Sequence, residues 1–298
     1  MTREELIREL EFYQDLGLHT LHLPEAASAS PGTKASERVT AEAPREEGRA
    51  RRPVDGPTPA ISTPPAALPG TPPAASPVQF RSLAINAMPT MYDALGVNPN
   101  EDSLARIHED IGDCKRCRLC QGRNKIVFGS GNESARLVFV GEGPGEEEDL
   151  SGLPFVGRAG QLLTKMIEGT AEREGIPIKR KDVYICNVVK CRPPSNRKPE
   201  ADEMEICGQF LYRQLAVINP KAICVLGATA AQALLNTKER IGKMRGEWFR
   251  WRDIPVMVTY HPSYLLRAYN AEAKREAWED LKKALHFVYD DPANLPTP

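Results

Sequence analysis

The sequence predicts an α/β fold with three layers, in which helices cover both faces of a central, mostly parallel four-stranded sheet. Three observations predict it. Four short apolar runs, Arg136–Val140, Val183–Cys186, Ala222–Leu226 and Val256–Tyr260, have the length and β-branched content of buried strands. Helical patterns separate these runs, and strands alternating with helices imply parallel pairing with both sheet faces covered. Each of three runs ends in residues suited to binding: a glycine-rich turn from Gly141, Asn187, and His261. Ligands of such sheets sit beyond the carboxyl ends of the strands.

The elements follow in order. Residues 1–22 read as a short amphipathic helix. Thr2 and Glu5 fit a capping box, and Leu6, Leu10 and Tyr13 share one face. Residues 23–99 read as a disordered Pro/Ala-rich linker. Within them, 24–77 hold 12 of the 26 prolines, no aromatic residue, and only Val39, Val54, Ile61 and Leu68 as large aliphatics. Such a stretch buries too little apolar surface to offset its ordering entropy. The compact domain is expected over 100–290, with a tail over 291–298. Ser103 caps a helix that turns Leu104, Ile107 and Ile111 inward. Leu162, Leu163, Met166 and Ile167 mark a second helix of the domain. Met204, Cys207, Leu211, Leu215 and Ile218 mark a third, with Pro199 at its first turn. Residues 228–235 form a fourth. Trp278, Leu281, Leu285 and Val288 mark the last.

Charge excludes little: 39 basic and 40 acidic residues give −1, and nucleic-acid binding needs a basic face rather than a basic average. The sequence has no secretory leader pattern and no bilayer-length apolar run, so a cytoplasmic protein that does not enter membranes is expected. Seven cysteines in a reducing compartment point to metal or cluster ligation rather than to disulfides.

The turn Gly141-Glu142-Gly143-Pro144-Gly145 lets a ligand approach the backbone closely. Glu142, Glu146, Glu147, Glu148 and Asp149 crowd it, with no basic residue before Arg158, which argues against a phosphate. Phe155 is expected near the same mouth, either as core or as a stacking ring. Asn187 offers a donor and an acceptor, matching the imide edge of a pyrimidine. His261 stands where the glycine turn and Asn187 converge. Cys114-x2-Cys117, Cys191 and Cys207 can make a four-thiolate site, and Cys117-x2-Cys120 is an equally good pair. Spacing does not separate zinc from an iron–sulfur cluster. Cys186 and Cys224, inside strands, are expected to be inert core thiols. Lys115, Arg116, Arg118, Arg123 and Lys125 surround the first pair, and Lys190, Arg192, Arg197 and Lys198 surround Cys191. Together they are expected to form one positive face for phosphates.

From about residue 102 to 288 the chain resembles the type 4 uracil-DNA glycosylases. The strings that carry the likeness are Cys114-Lys-Arg-Cys117, Gly141-Glu-Gly-Pro-Gly-Glu-Glu-Glu-Asp149, Pro154-Phe-Val-Gly157, Asn187-Val-Val-Lys-Cys191-Arg-Pro-Pro194, Cys207 and His261-Pro-Ser-Tyr-Leu-Leu-Arg267. The resemblance implies a monofunctional hydrolase that releases uracil from DNA, and a [4Fe-4S] cluster on Cys114, Cys117, Cys191 and Cys207. It implies that Phe155 stacks on the flipped base, that Asn187 reads its edge, and that His261 stabilises the carbonyl oxygen gaining charge. Glu142 and Glu148 match positions that place or polarise the attacking water. Gly143 aligns with the general-base Asp of type 1 enzymes, which leaves the base unassigned. Ser263 is expected on the substrate side, and Leu265 as the wedge that enters the base stack, with Tyr264 and Leu266 as alternatives. The N-terminal helix and tether are expected to reach a replication or repair partner, or to be an extension without one. The protein is expected to be a monomer. Two other readings are a glycosylase with altered base choice, such as hypoxanthine or xanthine, and a non-enzymatic iron–sulfur module that binds nucleic acid.

Overall fold

The computed structural model describes residues 2, 3, 7, 78–81, 101–267 and 270–296. The chain divides into two units, residues 1–20 with 78–298, and residues 21–77. The second unit and nearly all of the expected N-terminal helix lie outside the described residues.

The described domain opens with α1 (Leu104–Ile111), whose N-cap Ser103 accepts from the Arg106 N–H as its sequence predicts. A 3-10 turn (Arg118–Gln121) leads to β1 (Ser130–Gly131), β2 (Leu137–Gly141), α2 (Glu146–Ser151) and α3 (Arg158–Arg173). Then come β3 (Tyr184–Asn187), α4 (Ala201–Ile218), β4 (Ala222–Leu226), α5 (Ala228–Leu235), α6 (Ile241–Met244) and β5 (Trp248–Trp251). The domain closes with β6 (Ile254–Thr259), α7 (Pro262–Leu265) and α8 (Ala271–Tyr289).

The sheet has six strands in the order β1-β3-β2-β4-β6-β5, not the expected four. The four apolar runs are its parallel centre. The two additions pair antiparallel at its edges. β1 is two residues of Ser and Gly, too short and too polar to read as a strand. β5 carries Arg250 outward among aromatics, which breaks the apolar run expected of a buried strand. Pro199 also stands differently: it precedes the N-cap, Glu200, whose N–H donates to the Glu203 carboxylate at 2.8 Å.

Period-two alternation divides the core. Val138, Val140, Cys186, Ile223, Val225, Val256 and Val258 face α1, α4 and α5. Phe139, Ile185, Cys224, Leu226 and Met257 face α3 and α8. The layers are therefore those expected. From β2 the chain steps to β3 on one side, and from β3 it crosses to β4 on the other side of β2. That reversal opens a crevice at the carboxyl ends of β2 and β4.

The compact packing extends past 100–290 at both ends. Residues 78–81, inside the expected linker, lie along β5: the Arg81 N–H donates to the Trp248 carbonyl at 2.8 Å, and the Arg250 guanidinium sits 3.9 Å over the Phe80 ring. Val78 and Phe80 pack against the core, and Arg81 pairs with Glu239 at 3.0 Å. This short strap covers backbone that an edge strand would otherwise expose. Phe80→Ala is expected to cost about 1–3 kcal/mol, a drop of several degrees in Tm by thermal unfolding. An unchanged Tm would mean the strap adds nothing. At the other end, Asn294 donates to the Val288 carbonyl at 2.7 Å and closes a 3-10 turn (Pro292–Asn294).

Candidate active site and cysteine cluster

The strand register brings the predicted residues together. Gly141 pairs with Asn187 across β2 and β3, and Leu226 with Thr259 across β4 and β6, two residues before His261. Beyond these ends lies a cavity of about 570 Å³. Glu142, Gly143, Glu148, Phe155, Asn187, His261 and Ser263 all line it. Sequence reasoning gave Arg197 a place on the basic face and not at this wall, and it did not find Thr229, because neither stands in a motif.

Asn187 is 1% exposed, and its Oδ1 has no hydrogen-bond partner. A buried acceptor left unmade costs about 1–3 kcal/mol, so this atom marks where a donor is wanted. Glycine at 141 makes the arrangement possible. A Cβ there would lie 2.4 Å from Asn187 Oδ1 and 2.6 Å from the Phe155 ring.

Phe155 is buried at the cavity wall with φ of 53°. That left-handed conformation costs a bulky residue roughly 1–3 kcal/mol and needs external support. The support is specific. Glu148 Oε1 accepts from the Val156 and Gly157 N–H groups, both at 2.9 Å, and Oε2 accepts from Gly145 N–H at 3.1 Å. Arg180 donates to the Pro154 carbonyl at 2.8 Å. Gly160 lies so close that a Cβ would fall 1.9 Å from the Phe155 carbonyl. Glu148 is thus a bracket for the Phe155 loop, with three backbone donors on two oxygens. Arg180 stands in the basic run Lys179–Lys181, and nothing in the sequence separates it from a solvated surface cation.

His261 caps α7, and its ring centroid lies 5.6 Å from that of Phe155. Its Nδ1 accepts from the Ser263 N–H at 3.2 Å and lies 2.8 Å from Ser263 Oγ. The proton of the neutral ring therefore resides on Nε2. Burial lowers the imidazole pKa from its ordinary 6.5 to about 4, with the Glu148 charge opposing the shift. Because the folded pKa lies below the unfolded one, the neutral ring's contribution to stability is complete above pH 6.5 and is lost as pH falls toward 4. We expect His261 to stay neutral throughout an NMR titration between pH 7 and 5, and a cleavage profile without an inflection near 6.5. A protonation midpoint near 6.5 would show that the pocket does not desolvate the ring.

Gly143 has no room for a side chain, since a Cβ would meet Val189 Cγ2 at 2.7 Å. Leu265, the expected wedge, is 1% exposed and belongs to the same apolar core cluster as Phe155. Tyr264 and Leu266, at 39% and 36%, are the exposed large apolar side chains of that turn.

Of the four expected ligands, Cys114 and Cys117 are partly exposed, and Cys191 and Cys207 are buried. The sulfurs are electrostatic neighbours: Cys191 feels Cys114 and Cys117, and Cys207 feels Cys191 and Cys117. Burial pushes the Cys191 thiol up to about 11 and that of Cys207 up to about 12. Donors are already aimed at these sulfurs. Arg123 Nη1 lies 3.5 Å from Cys191 Sγ, and the Lys190 N–H lies 3.3 Å from Cys207 Sγ. Among the described residues, no group of three or more His, Cys, Asp or Glu could hold a single metal ion. Four converging sulfurs with N–H donors fit a larger thiolate-bound cluster. Cys186 and Cys224 are buried in strands, as expected.

The expected positive face is largely neutralised. Lys115 pairs with Asp113, Arg116 with Asp110, Arg118 with Asp202, Arg192 with Glu146, and Arg197 with Glu203. Lys190 is 0% exposed and belongs to the interior. Carboxylates of the acidic turn are likewise partnered. Asp149 is buried, accepting from Asn124 N–H at 2.9 Å, and Glu146 meets Arg192 at 3.4 Å.

A crevice at the switch point of a parallel sheet, walled by an aromatic ring, an amide and a neutral imidazole, defines a receptor for one flat polar heterocycle. Comparison with known proteins gives the family. The family model "Uracil DNA glycosylase superfamily" matches residues 128–282. A type-4 uracil-DNA glycosylase of Thermotoga maritima is 47% identical over 190 residues, 63% of this chain and 96% of that protein. One of Saccharolobus solfataricus is 41% identical over 202 residues, 65% of this chain and 90% of that protein. A type-5 enzyme of Pyrobaculum aerophilum is 30% identical over 227 residues, 63% of this chain and 97% of that protein. The chain belongs to the uracil DNA glycosylase superfamily and, within it, to the type-4 family. Among the described residues, no helix is long and apolar enough to cross a membrane.

Proposed function

We propose that the protein hydrolyses the N-glycosidic bond of uracil in DNA, giving free uracil and an abasic site. The observation that carries this reading is the buried, unpartnered Asn187 Oδ1 at the wall of a cavity shared with Phe155 and His261. A uracil flipped out of the stack presents an imide N–H to that acceptor. Unstacking costs a few kcal/mol, and the Phe155 face and the pocket hydrogen bonds offset it. As the bond breaks, negative charge grows on the base. The His261 Nε2–H, fixed by Ser263 on the other nitrogen, is a pre-placed donor for a carbonyl oxygen. With Glu148 committed to three N–H groups, Glu142 is the acid left to place the attacking water, beside the Gly143 backbone. Tyr264 or Leu266 takes the wedge role.

Cys114, Cys117, Cys191 and Cys207 would hold a [4Fe-4S] cluster. When bound, it supplies a covalent tie between the N-terminal pair, the segment after β3, and α4. The uracil is that left by cytosine deamination, so the reaction opens base excision repair. The segment before the catalytic domain serves to reach a replication or repair partner, or is an extension without one.

The test uses DNA with a single uracil, single- and double-stranded, followed by alkali. Strand breakage at the uracil is expected. Its absence from both substrates, with iron-loaded protein, would refute the activity. Faster breakage at hypoxanthine would reassign the base.

A further inference from the structure

One buried cation behind the pocket has no part in the chemistry above. Lys190 is 0% exposed, on the segment between Asn187 and Cys191. Its Nζ donates to the Asn187 carbonyl at 2.9 Å and to Gln214 Oε1 at 2.6 Å. Both acceptors are neutral, and burying an ammonium is costly unless its donors are satisfied. Gln214, also fully buried, is held in turn: its Nε2 donates to the Phe128 carbonyl at 3.0 Å and to the Tyr184 hydroxyl at 3.3 Å. The Lys190 backbone is fixed separately, its N–H on Cys207 Sγ at 3.3 Å and its carbonyl accepting from Val127 N–H at 2.8 Å.

The target of this network is particular. Asn187 is the last residue of β3, and Nζ grips the backbone carbonyl of the residue whose side chain presents the unpartnered acceptor. Lys190 does not line the cavity. We propose that Lys190 is a positioning residue for base recognition: with Gln214 behind it, its Nζ anchors the Asn187 backbone so that the amide keeps one orientation at the cavity wall. An amide that turned over would present NH₂ where an imide N–H must be accepted, and would favour cytosine. The anchor therefore serves discrimination between bases more than affinity for DNA.

This inference rests on the pocket reading proposed above, and the experiment separates the two. Lys190→Met keeps the chain's length and the backbone N–H to Cys207 but removes the anchor. The full chain is compared with Lys190→Met, Asn187→Ala and the double variant. Single-turnover uracil release, cytosine release, the KM for uracil-containing DNA, and iron and sulfide content are read for each. Outer supports of this kind are worth about 10–100-fold. Lys190→Met is expected to lower uracil release by about that factor with KM changed less than about two-fold, to narrow the preference for uracil over cytosine, and to keep its iron. In the Asn187→Ala background it should have no further effect.

Full rate and full discrimination in Lys190→Met would overturn the proposal. So would loss of iron in step with activity, which would place Lys190's role at the cysteines, and so would undiminished effects in the double variant. If Asn187→Ala itself is without effect, the pocket reading fails first. Should Lys190→Met not fold, Gln214→Leu releases the ammonium from its second anchor. A several-fold loss in the same direction is then expected, and wild-type discrimination in a folded Gln214→Leu protein would overturn the idea.

Discussion

Asn187→Ala is expected to lower uracil release by about 10²–10³-fold while leaving the affinity for undamaged DNA within about two-fold. The magnitude follows from what the amide does. It is buried at the cavity wall, so its hydrogen bonds form where water does not compete. Its Oδ1 is unmatched, and in the proposed reading the cost of that is recovered when the base binds. Truncation removes that recovery and leaves a void beside Phe155. Non-specific DNA affinity comes from phosphates and does not pass through this residue. Single-turnover kinetics and binding to uracil-free duplex decide it. Full rate with intact discrimination against thymine would show that the base is read elsewhere.

The second large effect concerns the cysteines. Serine at Cys114, Cys117, Cys191 or Cys207 is expected to lower bound iron and acid-labile sulfide, whereas serine at Cys120 should leave both unchanged. Losing a bound cluster removes a cross-link between three segments of the chain. Loss of a metal ranks with the largest single-site effects, and about 3 kcal/mol or more would lower Tm by roughly 10 °C in a domain of this size. Zinc without sulfide in the purified protein would refute the cluster. Iron loss at Cys120 in place of Cys114 would reassign the pair.

The sheet's parallel centre and the helices of eight residues or more were legible because each strand is apolar on both faces and each such helix keeps an apolar stripe, whereas the short α2, α6 and α7 carry no such stripe. Leu162–Ile167 and Trp278–Val288 needed no structure to be placed. The two edge strands were not legible. β1 offers two small residues, and its pairing depends on β3 lying alongside. Convergence at the site was legible because strand ends of a parallel sheet meet at one edge. Gly141, Asn187 and His261 could be gathered from that rule alone.

What stayed hidden was direction. Leu265 and Leu266 are adjacent and alike in composition, yet one is core and the other surface, because a single turn of α7 rotates them apart. Lys190 reads as one more cation beside Arg192, and only tertiary packing turns it inward. The five carboxylates after Gly141 read as a repulsive cluster. Two of them are acceptors for backbone N–H groups, and the bonds of Glu148 to Val156 and Gly157 and of Asp149 to Asn124 follow no spacing rule.

The backbone at Phe155 has a consequence for the protein's tolerance of change. Glycine or asparagine there would relieve roughly 1–3 kcal/mol of backbone strain. Either would also empty a buried aromatic site, at about 3–5 kcal/mol. The packing of the ring therefore holds the dihedral angle, and a smaller residue is expected to weaken the domain and not to strengthen it.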